Sequence, residues 1–361
     1  MAGPHTLTLH VFGTGVVGAA LLDQLRDQAS FLASRGLTLQ VATLANSRGG
    51  LRGQSLDLTD WRAQLAAEAK PLVLSTWLQE AEPGSVLVDC STSPELARLV
   101  QPALARGLHV VAANKKANSG PLSEWVAIRE TAARQGVRFL YETNAGAGLP
   151  LLDTLANLTL TGDRVERIEG ILSGSLSFIL GLLGEGVPLS VAVRTAKAKG
   201  FTEPDPRDDL SGMDVMRKLI ILARDSGFLI EPEAVEVEGL LPPDFDASGS
   251  VEAFLARLEA LDEAFGARIS HLKALGQMLR YVGTVSPEGC RVGLRDVTPD
   301  HPLASVSGGE NAVSIQTHRY HARPLVIRGY GAGAEVTAAG VFGDILRLAP
   351  PCMGLPLHFS R

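Results

Sequence analysis

The sequence predicts an α/β chain: a doubly wound parallel sheet first, then a second domain of α+β type. Strand-like and helix-like segments alternate up to about residue 145, which calls for crossover connections and hence parallel strands covered on both faces. A glycine-rich turn, Gly13-Thr14-Gly15-Val16-Val17-Gly18, joins the first strand-like run to the first helix-like run. Beyond residue 145 the alternation gives way to small residues, a polar Pro-rich insert and runs of antiparallel character.

Residues 6–12 (TLTLHVF) form a β-type run that stops at Gly13. After Gly18, Leu21, Leu22, Leu25 and the Phe31, Leu32 pair keep helical spacing until Gly36 ends the segment. Further strands are expected at 37–44, 72–75, 86–89, 108–112 and 137–141, with helical segments between them. The next run, AGAGLPLLDTLANL, starts with small residues and turns helical; 164–172 is strand-like and 177–184 helical. The insert GFTEPDPRDDLSG (200–212) precedes a strong helix at 213–226. Residues 230–250 are rich in Pro and acids and read as a surface connection. A helix near 251–265 leads to segments around 271–275, 280–285 and 291–297 that look like antiparallel strands. The final VIRGYGAGAEVTAAGVFGDILRLA is Gly-rich, then helical, in the manner of the first domain. The expected division is 1–145, 146–318 and a returning segment, 319–361.

Composition narrows the functional classes. A chain of 361 residues exceeds one ordinary core, and 45% hydrophobic with 20% charged residues suits a soluble globular protein. A net charge of -6 without a basic block argues against a nucleic-acid or membrane partner, though not against a small anionic substrate. Cys90, Cys290 and Cys352 are widely spaced and form no CxxC pair, so free thiols in a reducing compartment are expected, and no zinc site. No secretory pattern or membrane-length apolar run is visible. A cytoplasmic protein is expected.

The Gly13–Gly18 turn has the flanks that the dinucleotide fingerprint of a Rossmann-type sheet requires. Gly13 permits the tight turn, Gly15 lets backbone approach a pyrophosphate, and Gly18 lets helix and strand pack closely. The turn, with Thr14, Val16 and Val17 between its glycines, opens a helix whose N-terminus favours phosphate charge. The second strand ends in Leu44-Ala45-Asn46-Ser47-Arg48, without the carboxylate that would hold an adenosine ribose. Asn46 and Ser47 can hydrogen-bond and Arg48 can pair with a 2′-phosphate, so NADP(H) is preferred and NAD(H) is the alternative. An exposed loop arginine is the plain reading of Arg48.

Lys218 stands four residues after Asp214 and shares its helix face. Alone, such a pair is an ordinary ion pair worth about 0.3–0.5 kcal/mol. Here Glu203, Asp205, Asp208 and Asp209 crowd the loop just upstream, and an apolar stretch follows the lysine.

GFTEPDPRDDLSGMDVMRK resembles the signature of homoserine dehydrogenases. Ala113-Asn114-Lys115-Lys116, YETNAGAGLP, IEGILSGSLSFI and GAGAEVTAAGVFGD support the resemblance, in order along the chain. It is closest to the dehydrogenase portion of bifunctional aspartokinase–homoserine dehydrogenases, without the kinase module. The resemblance implies reduction of L-aspartate 4-semialdehyde to L-homoserine, in threonine and methionine biosynthesis. It implies that Lys218 is the catalytic lysine and Asp214 its partner. Lys218 would donate a proton or hydrogen bond to the oxygen on which charge develops. Oxidation, the reverse reaction, would then prefer alkaline pH, since a neutral lysine must accept the proton.

The same resemblance assigns substrate binding to Glu203, Asp209, Gly200 and Lys115, with Lys115 also reaching the cofactor and Lys116 its neighbour. It places Ser91, Thr92 and Gly333 beside the cofactor; Ser91 and Thr92 read equally as a helix cap before Pro94. Glu142, Ala145, Ala147 and Leu149 match a site for a monovalent cation, usually sodium; from residues alone this stretch reads as a hinge. The resemblance implies a homodimer, with residues 1–145 binding NADP(H) and 146–318 binding substrate and forming the dimer. His301 is assigned to structure, having no metal partner at ligand spacing. Two rival readings are an aldehyde dehydrogenase working through a Cys90 thiohemiacetal and a non-catalytic NADP-binding regulatory module.

Overall fold

The computed structural model describes residues 5–349; Cys352 and the end of the returning segment lie outside them. The chain divides into two compact units, Met1–Gly148 with Gly333–Arg361, and Leu149–Ala332. In the first unit the strands are β1 (His5–Phe12), β2 (Leu37–Asn46), β3 (Gly49–Arg52), β4 (Val86–Asp89), β5 (His109–Ala112) and β6 (Phe139–Leu140). They form one sheet in the order β3-β2-β1-β4-β5-β6, parallel except for β3. The order reverses between β1 and β4, and ligands of doubly wound sheets bind in the crevice such a reversal opens.

Alternation along the strands explains the two layers. Leu7, Leu9 and Val11 of β1 with Val86 and Val88 of β4 pack into one core, which helices Val16–Ser34 and Ala334–Arg347 cover. Phe12, Leu87, Val110 and Ala112 turn to the other, against Trp77 and helix Pro94–Ala105. A period of two in strands buried on both faces is the mark of a parallel sheet between helices.

The second unit holds β7 (Val165–Ile171), β8 (Val235–Val237), β9 (Met278–Ser286), β10 (Gly289–Val297), β11 (Glu310–Thr317) and β12 (Leu325–Tyr330), ordered β12-β11-β7-β9-β10-β8. All pairs are antiparallel except β8 with β10. Helix Met213–Asp225 packs on the sheet; a Cβ at Gly283 of β9 would come 3.0 Å from Leu219. The opposite side carries a smaller core of Ile171, Val282, Leu303, Val306 and Ala312.

Four expectations need correction. Residues 230–250 are not only a surface connection, since β8 within them pairs with β10 and Leu240 is buried. Residues 72–75 are not a strand: helix Leu74–Glu80 begins there, and the ladder contact nearby is an isolated bridge of Gly50 to Lys70. Residues 271–275 are not a strand either but the end of helix Asp262–Ala274, itself separated from helix Val251–Arg257 by a 3-10 turn. The return to the first unit starts at Gly333 and not at residue 319, because β12 completes the second sheet first.

Candidate active site

In the first unit the three glycines of the turn occupy three different environments. Gly13, with φ +95°, has no space for a side chain: a Cβ would lie 2.7 Å from the Cys90 carbonyl, where β4 ends. A Cβ at Gly18 would lie 1.8 Å from the Gly13 carbonyl oxygen, so helix Val16–Ser34 rests directly on the turn. Gly15 has nothing within 4 Å of its Cβ position, which leaves open room at the helix N-terminus. Thr14 Oγ1 accepts from Asn46 Nδ2 at 3.2 Å, and Asn46 Oδ1 accepts from Arg48 N at 2.8 Å. The turn and the end of β2 are thus tied together, while Val16, Ser47 and Arg48 stay exposed and Val17 partly covered.

Around the end of β4 the loop is organised by Asp89, which is fully buried. Its Oδ1 accepts from the Ser91 N–H and hydroxyl, at 2.8 and 2.6 Å, and its Oδ2 from Asn114 Nδ2 at 2.9 Å. Burial pushes the Asp89 carboxyl up against these donors. Ser93, not Ser91 or Thr92, caps helix Pro94–Ala105, accepting from Glu95 N and Leu96 N. Lys116 Nζ donates to the Thr92 carbonyl at 2.6 Å, whereas Lys115, half-buried, stands at the start of the turn Lys116–Ser119 after β5. The roles of Asn114 and Asp89 were not read from the sequence, although both sit at strand ends.

The segment Glu142–Ala147 is buried against the returning helix. Glu142 N donates to Asp344 Oδ2 at 2.9 Å, and Asn144 bridges the Ala112 carbonyl and the Asn118 amide. Ala145 is buried, and Ala147 has φ +52°, the one positive φ outside glycine among the described residues. Such backbone costs about 1–3 kcal/mol and persists where surroundings impose it. Here Gly340 presses in, a Cβ there lying 2.5 Å from Thr143 and 3.3 Å from the Ala147 carbonyl oxygen. Gly333, φ +127°, opens helix Ala334–Arg347, and Leu149 begins the second unit. Among the described residues no three His, Cys, Asp or Glu side chains gather to hold a metal ion. A cation here would rest on one carboxylate and backbone carbonyls.

In the second unit Lys218 is 8% exposed. Its Nζ is 2.9 Å from Asp214 Oδ2 and donates to the Leu172 carbonyl at 2.6 Å. An ammonium has three donors, so a third remains for a ligand. Gly212, φ +75°, starts this helix with a Cβ position only 2.0 Å from the Tyr281 hydroxyl, which itself donates to the Glu238 carbonyl. Asp209 accepts from the Ser175 hydroxyl at 2.7 Å and from Glu203 N at 2.9 Å. Burial raises its carboxyl, Asp214 and Asp208 add to this, and the two donors oppose it. The Glu203 and Asp208 side chains are exposed. Gly200, φ +74°, has open space at its Cβ position. Asp205 caps helix Pro206–Leu210 and pairs with Arg207. Phe201 stacks on Phe178 with centroids 4.1 Å apart, holding this loop against helix Gly174–Gly184. The Leu172 carbonyl and Ser175 were missed at the sequence level; a backbone oxygen has no letter of its own.

Cys90 is poorly suited to be a nucleophile: desolvation, then Asp89, pushes its thiol well up, away from the thiolate. His301 donates Nε2–H to Glu169, because its Nδ1 accepts from Leu303 N. No described helix is long and apolar enough to cross a membrane.

Comparison with known proteins gives a consistent result. The family model described as homoserine dehydrogenase matches residues 150–346, and the model for the NAD-binding domain of homoserine dehydrogenase matches residues 13–142. The chain is 46% identical over 344 residues to a bifunctional aspartokinase/homoserine dehydrogenase of Haemophilus influenzae, covering 94% of this chain and 42% of that one. It is 36% identical to a homoserine dehydrogenase of Paracoccidioides brasiliensis, covering 95% and 98%. A hyperthermophilic archaeal homoserine dehydrogenase solved in complex with NADPH superposes with a TM-score of 0.75 at 26% identity, over 95% and 98% of the two chains. The chain spans about two fifths of the length of its bifunctional relatives.

Proposed function

The chain belongs to the homoserine dehydrogenase family, and from that premise we propose that it reduces L-aspartate 4-semialdehyde to L-homoserine with NADPH. The observation that carries this reading is the Lys218 ammonium, buried and held between the Asp214 carboxylate and the Leu172 carbonyl beside the Asp209 loop. The nicotinamide cofactor supplies a hydride to the aldehyde carbon when bound. Lys218 then gives its third N–H, or its proton, to the aldehyde oxygen as negative charge develops there. Asp214 and the Leu172 carbonyl fix the direction of that donor, which limits reorganisation in the transition state. Asp209 and Glu203 take the ammonium or hydroxyl end of the substrate, while at Gly200 the backbone meets the substrate. Lys115 reaches the cofactor and the substrate from the end of β5.

The residues of the first unit fit a dinucleotide. Gly15 leaves the open space a pyrophosphate needs, at a helix N-terminus walled by Gly13, Thr14 and Gly18. Ser91, Thr92 and Gly333 complete the surroundings. NADP(H) is preferred over NAD(H) because β2 ends in Asn46 and is followed by Ser47 and Arg48, with no carboxylate to repel a 2′-phosphate. Replacing Arg48 with Ala should raise KM for NADPH by about ten- to a hundredfold, the worth of a charge-assisted hydrogen bond, and leave KM for NADH within about twofold. An equal effect on both would remove Arg48 from this role.

Glu142 and the carbonyls of Ala145, Ala147 and Leu149 are the groups that would hold a sodium ion. We place the protein in the cytoplasm as a homodimer, with free Cys90 and Cys290 thiols suiting a reducing compartment. The direct test is to incubate the protein with aspartate 4-semialdehyde and NADPH and to identify the product. One homoserine formed per NADPH consumed is the expected result; tight NADPH binding without turnover contradicts the proposal.

A further inference from the structure

Two serines at the start of helix Gly174–Gly184 hold a hydroxyl geometry that exceeds what a cap needs. Ser173 is the N-cap: its Oγ accepts from Leu176 N at 3.2 Å and lies 2.9 Å from Ser175 Oγ. Ser175, buried, sits two residues into the helix, where a cap requires nothing of it. Its hydroxyl instead reaches 34 positions along the chain to Asp209 Oδ1, at 2.7 Å.

Proton counting fixes the direction of this chain. An ionised carboxylate only accepts, so the single Ser175 proton is committed to Asp209. Ser173 must therefore donate its own proton to Ser175 Oγ, while its lone pair takes the Leu176 N–H. The polarity runs one way: helix-end amide, Ser173, Ser175, Asp209. Chains of this sort strengthen each member, and this one delivers the positive end of a helix to a carboxylate.

On the other side Glu203 N binds Asp209 Oδ2 at 2.9 Å. Each carboxylate oxygen is thus tied once and keeps a lone pair for a ligand. The turn packs closely on the chain at Gly309, since a Cβ at Gly174 would lie 2.9 Å from the Gly309 carbonyl oxygen. It also carries, one residue earlier, the Leu172 carbonyl that holds Lys218.

We propose that Ser175 is a positioning residue for substrate recognition, holding the Asp209 carboxylate ionised and oriented toward the α-ammonium group of the amino-acid substrate. This rests on Asp209 being a substrate acid. The groups facing Asp209 are Ser175 from its helix, the Glu203 amide from the loop, Asp208 on its own short helix and Asp214 from the next. The two last are acidic and work against ionisation, so loss of the Ser175 hydroxyl leaves the Glu203 N–H to oppose burial and two like charges.

The experiment measures NADPH oxidation by the full chain from pH 5 to 9, for Ser175→Ala, Ser175→Thr, Asp209→Asn and the Ser175→Ala/Asp209→Asn double variant. Two substrates are compared: aspartate 4-semialdehyde, and 4-oxobutanoate, the same aldehyde without the ammonium group. Ser175→Ala should raise KM for the amino substrate about tenfold, with kcat within about threefold, as expected for one lost charge-assisted bond. The acid limb of its kcat/KM profile should move to higher pH. 4-Oxobutanoate should be reduced as by wild type, Ser175→Thr should restore both parameters, and Ser175→Ala should add nothing in the Asp209→Asn background.

A loss that falls equally on both substrates, or that adds in full to Asp209→Asn, overturns the positioning role and leaves Asp209 as the substrate acid. A wild-type KM in Asp209→Asn removes the reading of Asp209 itself. Should Ser175→Ala fail to fold, Ser175→Cys, of similar size with a weak donor, carries the same comparison.

Discussion

His10 of β1 shows how burial fixes a protonation state away from the chemistry. It is 7% exposed, with Nδ1 2.9 Å from Thr43 Oγ1 and Nε2 3.2 Å from Ser85 Oγ. Burial, helped by Arg52, lowers its pKa from 6.5 to about 4. The folded state thus resists the proton that the unfolded chain accepts, so its contribution is complete above pH 6.5 and is lost as pH falls toward 4. Urea unfolding of wild type and His10→Asn at pH 7.5 and 4.5 should show wild type losing about 2–3 kcal/mol more than the variant. Equal losses would mean that His10 titrates normally in the fold. Cys90→Ser, by contrast, should leave turnover within about twofold, since a thiol held from ionisation offers little reactivity; a collapse in rate with the fold intact would restore the thiohemiacetal reading. At this scale the sequence shows side chains and hides their partners. The Asp214–Lys218 spacing is legible because four residues make one helical face. Leu172, an apolar letter, gives no sign that its carbonyl holds the lysine.

The glycine turn separates, element by element, what folding needs from what binding needs. Gly15→Ala adds a methyl group into open space at φ -69°, so the melting temperature should stay within about 2 °C. NADPH affinity should nonetheless fall by tenfold or more, as the methyl occupies the pyrophosphate's approach. Gly18→Ala must push the Gly13 carbonyl away from 1.8 Å, and should cost stability of several kcal/mol before any ligand is added. Calorimetry paired with NADPH titration distinguishes the two; a Gly15→Ala protein that binds like wild type would detach the turn from the cofactor. The turn was readable because a fixed spacing of glycines answers three separate steric demands. The run Leu72-Val73-Leu74-Ser75 was not, because four residues cannot show whether their period is two or 3.6; the helix from Leu74 buries Trp77 and Leu78. Residues 325–330 misled for another reason: β12 is half exposed along its length and ends in glycines like those of the first domain.

The whole molecule is a chain that builds a parallel sheet, leaves it after Gly148, completes an antiparallel sheet and comes back at Gly333. The departure was legible in the change from alternating to Pro-rich sequence; the return was legible in kind, not in place. Helix Ala334–Arg347 belongs to the first core through Ala338, Val341, Phe342 and Ile345. Light scattering at micromolar concentration should give twice the 38.1 kDa chain mass; a concentration-independent single-chain mass would overturn the homodimer. The central claim, that Lys218 supplies the proton in semialdehyde reduction, is tested most directly by one comparison. NADPH consumption with aspartate 4-semialdehyde is measured for wild type and Lys218→Ala, with folding matched by circular dichroism and NADPH affinity. The account predicts wild-type turnover that falls by about 10²–10⁴ in the variant, the usual worth of a positioned general acid. Turnover that survives the substitution would contradict it.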